Sequence, residues 1–222
     1  MSMDRRLSQI ILIVLGGLII MALSACGLTK NSRTWIEKNR VANIYKVYPT
    51  KNPEDLFKVF TKGFNLEEYY EDEKGNAYKV DIVGDVDTKT ITGKLIKYSG
   101  DEEEKLSDVT YTDSHLVFSD PSVKQYWPLD GFLFQYVTIN QVYLDKLKEK
   151  EHSYNVQSGT FSINYELQDS PIKNLLHKEK THITDFKISG YGSNYKYYYA
   201  RTLKFKFNDS SVFSESINKL YD

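Results

Sequence analysis

Apolar and polar residues alternate with a period of two along much of this chain, and that pattern predicts β-strands. The predicted strands span residues 76–82, 89–99, 107–112, 115–119, 161–167, 183–189, 195–207 and 212–219. Most of the connections between neighbouring strands are too short for a crossover helix, so we expect antiparallel pairing. The last two strands, joined by a polar turn at 208–211, are expected to form a hairpin.

Two short helices are predicted before the first of these strands. Thr34 and Glu37 have the spacing of a capping box, and the apolar positions within 41–48 repeat as one helical face. A second helix start is marked by Pro53 in its first turn, and Gly63 stands where a left-handed residue would end it.

The middle of the chain predicts a longer helix. Asp130 is a candidate cap, and apolar residues recur at helical spacing up to about residue 149. The β-branched residues Val137, Thr138 and Ile139 favour strand, so a strand within 130–149 is the open alternative. A further short helix is expected after Pro171.

These elements predict an α+β fold. No repeat, low-complexity linker or change in composition divides the chain after its N-terminal stretch. The simplest assembly is a single domain over residues 32–222, with a twisted antiparallel sheet and helices packed mainly on one face.

The N-terminal stretch has a different pattern. Arg5 and Arg6 precede an apolar run at 10–22, which is followed by Leu-Ser-Ala-Cys at 23–26. A basic start, a short apolar core and small residues before a cleavage point are typical of an export signal. The run is shorter than the roughly 20 residues that a membrane-spanning helix needs.

The tetrapeptide at 23–26 resembles the lipobox of bacterial lipoproteins. In that motif the cysteine thiol receives a diacylglycerol, and cleavage makes the cysteine the new N-terminus. We therefore predict cleavage between Ala25 and Cys26, a signal peptide at 1–25, a short tether at 26–31 and lipid on Cys26. The alternatives are a plain cleaved signal or an uncleaved anchor. The expected location is the extracellular face of the cell membrane.

Charge and cysteine content exclude several classes of protein. The chain has 29 basic and 30 acidic residues, so it has no excess of positive charge with which to bind nucleic acid. Its only cysteine cannot form an intramolecular disulfide, and lipid on Cys26 would leave the exported part without a thiol. Aromatic residues make up 14% of the chain, which favours a folded, sheet-rich domain over a disordered stalk.

Little of the remaining sequence predicts chemistry. His177 and His182 are five residues apart, a spacing that does not place two metal ligands on one helix face. The acidic run at 101–105 is interpreted as a solvated hairpin tip. No nucleotide, phosphate-loop or hydrolase motif is present in the sequence, so we expect no enzyme, cofactor or metal.

One stretch has the composition of a binding surface. Tyr195, Tyr197 and Tyr199 are followed by Arg201 on a predicted strand. Aromatic rings interleaved with cations can stack on sugars or other ring systems. The simpler interpretation is a strand with one buried face and solubilising cations on the other.

Several stretches together are similar to the staphylococcal tandem lipoproteins. They are the lipobox at Cys26, YPTKNPEDLF at 48–57, DTKTITG at 87–93, YN at 154–155 with FSINYELQ at 161–168, KISGYGS at 187–193, and VFSESIN at 212–218.

This resemblance implies a lipoprotein on the outer face of a Gram-positive membrane. It implies stimulation of host innate lipoprotein receptors through the acylated N-terminus, promotion of host-cell entry, and no enzymatic activity. Only Cys26 carries over as a functional residue. The leading hypothesis is thus a lipid-anchored, host-interacting protein-binding module. The alternatives are an envelope-anchored module for a small ligand or glycan and, third, an envelope hydrolase.

Overall fold

Ten antiparallel strands form one continuous sheet in the computed structural model, which describes residues 30–167, 170–192 and 200–220. The strands are β1 (Phe64–Glu71), β2 (Ala77–Asp85), β3 (Thr90–Ser99), β4 (Glu102–Thr112), β5 (His115–Phe118), β6 (Lys148–Tyr154), β7 (Phe161–Glu166), β8 (Ile183–Tyr191), β9 (Ala200–Phe207) and β10 (Val212–Lys219). Strands hold 44% of the structure and helical segments 22%. The fold is therefore mostly β, and the predicted α+β class is met only in part.

The sheet consists of two five-stranded meanders joined at its centre. Its order is β5-β4-β3-β2-β1-β10-β9-β8-β7-β6. The chain therefore leaves β5 at one edge, starts again with β6 at the opposite edge, and returns inward until β10 pairs with β1. In that central pair Phe64 lies opposite Lys219, and Glu68 lies opposite Glu215.

The helices are single turns. They are α1 (Arg33–Ile36), α2 (Leu56–Val59), α3 (Leu133–Tyr136), α4 (Gln141–Leu144) and α5 (Ile172–Leu175). The turn α1 continues as a π-helical segment, Glu37–Val41, and then as a 3-10 segment, Ala42–Lys46. Helices this short have little stability of their own, so packing against the sheet must hold them.

The predicted cap of the first helix is displaced by two residues. Ser32, not Thr34, is the N-cap, and its side chain accepts a hydrogen bond from the Trp35 amide at 3.3 Å. Backbone at Ser32 is extended, whereas Thr34 already lies inside the helical turn. The expectation for Gly63 is confirmed, because its φ of +92° is a left-handed conformation that glycine adopts without strain.

A single apolar core lies on one face of the sheet. Alternate strand residues point into it, as Phe161, Ile163 and Tyr165 do in β7. The side chains that cover this face come from the helical segments and their connections, including Ile44 and Phe132. Each such buried apolar side chain contributes about 1.5–3 kcal/mol relative to an exposed one.

Two strands were not predicted, and one run that was predicted as a hairpin tip lies mostly in a strand. Strand β1 was not predicted, because Glu68 interrupts its apolar alternation while pointing into the core. Strand β6 was not predicted either, since its Lys-Glu-Lys-Glu start offers no apolar residue. The run at 101–105 is not a loop tip: most of it lies in β4, where Glu103 pairs with Tyr98 of β3.

The long helix predicted over 130–149 is wrong. Helix α3 ends at Tyr136, residues 137–140 form no helix, and the side chain of Asn140 accepts from the Tyr143 amide to cap α4. Val137 and Ile139 are buried although they lie outside both helices. The apolar residues at helical spacing are therefore buried in the core by two separate helical turns and an extended link.

Candidate functional site

The predicted cleavage point between Ala25 and Cys26 and the predicted lipidation residue Cys26 lie outside the described residues. Cleavage and lipidation therefore stay predictions. Across residues 30–167, 170–192 and 200–220, no helix is both long and apolar enough to cross a bilayer.

The first described residues dock against the edge strand β6. Nε2 of His152 lies 2.6 Å from the carbonyl oxygen of Asn31, and Nδ1 lies 2.5 Å from Oε1 of Glu149. A carbonyl oxygen and a carboxylate oxygen both accept hydrogen bonds, so both ring nitrogens must donate and the ring is an imidazolium. The hydrogen bond to Glu149 accordingly raises the pKa of His152.

Of the predicted tyrosine and arginine surface, the structure describes only Arg201. Tyr195, Tyr197 and Tyr199 lie outside the described residues. Arg201 lies in β9 and is only 1% exposed, so its assignment to an exposed contact surface is wrong.

Arg201 belongs instead to a buried cluster with a second arginine, Arg40. Its Nε donates to the Arg40 carbonyl oxygen at 2.9 Å. Arg40 in turn donates to the Gly192 carbonyl oxygen at 2.6 Å and to the Tyr154 hydroxyl at 2.5 Å. The guanidinium carbon of Arg201 also lies 5.1 Å from the ring centre of Phe161. The cluster ties the N-terminal helical segment to β6, β8 and β9.

Glu37 is a buried carboxylate with cationic and neutral donors around it. It is 3% exposed, and its Oε1 lies 2.8 Å from Nε of Arg33. The same oxygen accepts from the Tyr165 hydroxyl at 2.9 Å, and Oε2 accepts from Nε2 of Gln141 at 3.0 Å. This arrangement links α1 to β7 and to α4.

Glu68 and Glu215 form a second buried acidic site, and no cation among the described residues pairs with them. Both are 0% exposed, and they face each other across the central β1–β10 pair within hydrogen-bonding reach. Oε1 of Glu68 accepts from the Leu133 amide at 2.7 Å. Glu215 accepts from the Tyr48 hydroxyl at 2.6 Å and from the Phe134 amide at 3.3 Å.

The two carboxyl groups are placed to hold one proton between them. Burial, followed by the charge of Glu215, raises the pKa of Glu68 well above its ordinary value. Burial also raises the pKa of Glu215, to about 7. Among the described residues, Oε2 of Glu68 meets no donor. A neutral Glu68 that donates to Glu215 accounts for this, since two adjacent carboxylates cannot both ionise away from water.

This pair can bind a proton, and it joins the sheet to the segment that covers it. The amides of Leu133 and Phe134 begin α3, so the pair binds that helix to the central strands. With 0% exposure, Glu68 and Glu215 present no oxygen to a substrate. The pair could not be recognised from the sequence, because a glutamate in an alternating strand is expected to face the solvent.

The histidines do not come together. His177 is exposed just after α5, and His182 is exposed at the start of β8. In the part of the chain that the structure describes, no three His, Cys, Asp or Glu side chains are grouped so as to hold a metal ion. No family model matches the chain, and no curated protein matches it.

Proposed function

We propose that this chain is a lipid-anchored protein on the outer face of the cell membrane and acts as a binding module for host proteins. The observation that carries the proposal is Leu-Ser-Ala-Cys at 23–26 directly after the apolar run at 10–22. The resemblance to staphylococcal tandem lipoproteins supports it and adds recognition of the acylated N-terminus by host innate receptors. Two acyl chains give stable anchoring where one chain binds only marginally.

Docking of the tether is consistent with a domain held close to the membrane. Asn31 is fixed to His152 and lies only five positions after Cys26. Five extended residues span at most about 18 Å. Strand β6 would therefore lie near the bilayer. If the short helices form a layer on one face, as the α+β interpretation holds, the polar opposite face is left for partners.

The proposal describes a binding protein, not a catalyst. The hydrolase alternative requires two carboxylates across an accessible cleft. Glu68 and Glu215 are paired carboxyl groups, but they lie in the core. Their donors are the Tyr48 hydroxyl and two backbone amides, which is an arrangement for holding a helix on a sheet.

Replacement of the cysteine tests the proposal. Cys26→Ser should abolish labelling by a radioactive fatty acid, release the protein from membranes and remove stimulation of host cells. Ser24→Ala is the matched control, since it keeps a small residue beside the cleavage point and should preserve all three properties. Full membrane association and undiminished stimulation by Cys26→Ser would refute the proposal.

A module for a small ligand or envelope glycan is the second candidate. Its predicted surface, Tyr195, Tyr197 and Tyr199, lies outside the described residues, so that location stays a prediction. An aromatic cleft elsewhere in the fold favours a ligand-binding role on independent grounds.

A further inference from the structure

A polar cleft of about 490 Å³ lies between three segments that are distant in the sequence. Tyr70 comes from the end of β1, Tyr126 and Trp127 from the link between β5 and α3, and His177 from the end of α5. A volume of this size is within the range of small-molecule sites. The cleft is separate from the buried carboxyl pair and from the lipid anchor.

An aromatic platform forms one wall of the cleft. The ring of Tyr126 stacks on that of Tyr78 with centres 5.3 Å apart and planes 13° apart. Tyr126 is nevertheless 39% exposed and lines the cleft. Tyrosine combines a flat apolar face with a polar tip, which suits it to ligands that have both characters.

Trp127 is the buried part of the cleft wall. It is 2% exposed and packs on Phe213, with ring centres 6.3 Å apart. Its indole Nε1 is fully buried, so Trp127 is not offered as a contact for a ligand. Its place in the wall makes its fluorescence sensitive to what occupies the cleft.

The lysines of the cleft are already neutralised. Nζ of Lys124 donates to the Leu129 carbonyl oxygen at 2.6 Å and lies 2.9 Å from Oδ1 of Asp130. Nζ of Lys178 lies 2.7 Å from a Glu73 oxygen and 2.8 Å from an Asp209 oxygen. With two cations against three carboxylates, the cleft offers an anion no excess positive charge.

Two further polar side chains remain available. His177 is exposed, and its ring makes no hydrogen bond to a described residue. Nε2 of Gln125 donates to the Ser122 carbonyl oxygen at 3.0 Å, which leaves its Oε1 as an acceptor. Both groups can donate to or accept from a hydroxyl without a change in charge.

We propose that this cleft binds a neutral carbohydrate. A sugar ring would stack on the exposed part of Tyr126, and its hydroxyl groups would bond to His177 and Gln125. A cleft with an exposed tyrosine ring, an imidazole and an amide oxygen, whose lysines are already paired with carboxylates, matches hydroxyl-rich ligands better than phosphates or carboxylates. The inference does not depend on lipid attachment, so it stands or falls separately from the proposed function.

Tryptophan fluorescence offers a direct test. The chain has two tryptophans, and Trp35→Phe would leave Trp127 as the sole reporter in the cleft. The full chain, in a detergent without a sugar headgroup, is titrated with maltotriose, cellotriose, chitotriose and inorganic phosphate. We expect saturable quenching or a spectral shift with at least one trisaccharide and none with phosphate.

Matched variants locate the binding. Tyr126→Ala should weaken sugar binding about tenfold through loss of the stacking face. Tyr136→Ala is its control, because Tyr136 is 38% exposed and does not line the cleft. His177→Asn is a second test that keeps a polar group and suits the residue's φ of +55°. Urea unfolding of each variant checks that it is folded. No saturable response to any trisaccharide, a response to phosphate alone, or equal affinities for Tyr126→Ala and Tyr136→Ala would overturn the proposal.

Discussion

Two regions of the core bury glutamate in opposite ways. Glu37 has the Arg33 guanidinium at 2.8 Å and the Tyr165 hydroxyl at 2.9 Å. Glu68 has a second carboxyl group, that of Glu215, in the opposite strand. All three glutamates are 3% exposed or less, so the partner and not the burial distinguishes the regions.

The comparison shows how a core can accept a carboxyl group either charged or neutral. At Glu37 the negative charge is needed, because it balances the Arg33 guanidinium, whose other acceptors are the neutral carbonyl oxygens of Leu144 and Leu147. At Glu68 the proton is needed, because a second negative charge beside Glu215 would have no cation to balance it. Opposite responses to the same substitution, glutamate to glutamine, are therefore expected.

The largest effect should come from Glu37→Gln. It removes the charge that faces Arg33 and one oxygen that accepts from Tyr165 or Gln141. Breaking a buried pair on one side costs about 3–5 kcal/mol, and the partial exposure of Arg33 places this case near 3. The free energy of unfolding from urea denaturation at pH 7 measures it.

Glu103→Gln is the matched control for that loss, since Glu103 lies exposed on β4. We expect it to change stability by less than about 0.5 kcal/mol. Equal effects of Glu37→Gln and Glu103→Gln would show that the pairing of Glu37 contributes nothing.

The opposite sign is expected for Glu68→Gln. The amide oxygen can keep the bond from Leu133, and the amide nitrogen can donate to Glu215 in place of the carboxyl proton. At pH 8 the variant should be more stable than the unaltered protein by about 1–2 kcal/mol, since it needs no bound proton. Urea denaturation at pH 8 checks this. Glu67→Gln, on the adjacent outward-facing position of β1, should have little effect, and destabilisation by Glu68→Gln at pH 8 would argue against a neutral Glu68.

The smallest effect concerns His152 at the tether. Glu149→Gln removes the carboxylate that holds the imidazolium and should lower the pKa of His152. Because the pair is partly exposed, the loss of stability should stay below about 1 kcal/mol. An NMR titration of the imidazole measures the pKa. Glu151→Gln is the control, since Glu151 bonds to Asn164 instead, and it should leave the titration unchanged.

The sequence predicted strands whose inward positions are mostly apolar, including β10, where Glu215 stands between the inward Phe213 and Ile217. In β7 the series Phe161, Ile163 and Tyr165 alternates without interruption, and the structure confirms the strand. In β1 the same inward row contains Glu68, so the pattern was lost at the residue with the most unusual environment. Strands are predicted from the polarity of each residue type, and glutamate counts as polar even where its carboxyl group is neutral in the core.

The candidate sites were less accessible to prediction. Glu37 lies only four residues after Arg33, so that pair is local, whereas the meeting of Glu68 with Glu215 depends on the register of strands more than 100 residues apart, and local pattern carries no such information. The cleft likewise joins Tyr70, Tyr126 and His177 from three separate elements. By contrast, the lipobox at Cys26 is contiguous, so its prediction needs no fold.

The pH dependence of unfolding tests the central comparison most directly. The pKa values of Glu68 and Glu215 are raised from 4.5 in the folded state, that of Glu215 to about 7. The contribution of Glu215 to stability is therefore complete below about pH 4.5 and is lost as pH rises through about 7, and the contribution of Glu68 is likewise lost as pH rises. Between pH 5 and 8 the free energy of unfolding of the unaltered protein should fall by about 3 kcal/mol through Glu215 and further through Glu68, so that of Glu68→Gln should fall by clearly less. Stability that rises over this range, or equal slopes for the two proteins, would contradict a proton shared by Glu68 and Glu215.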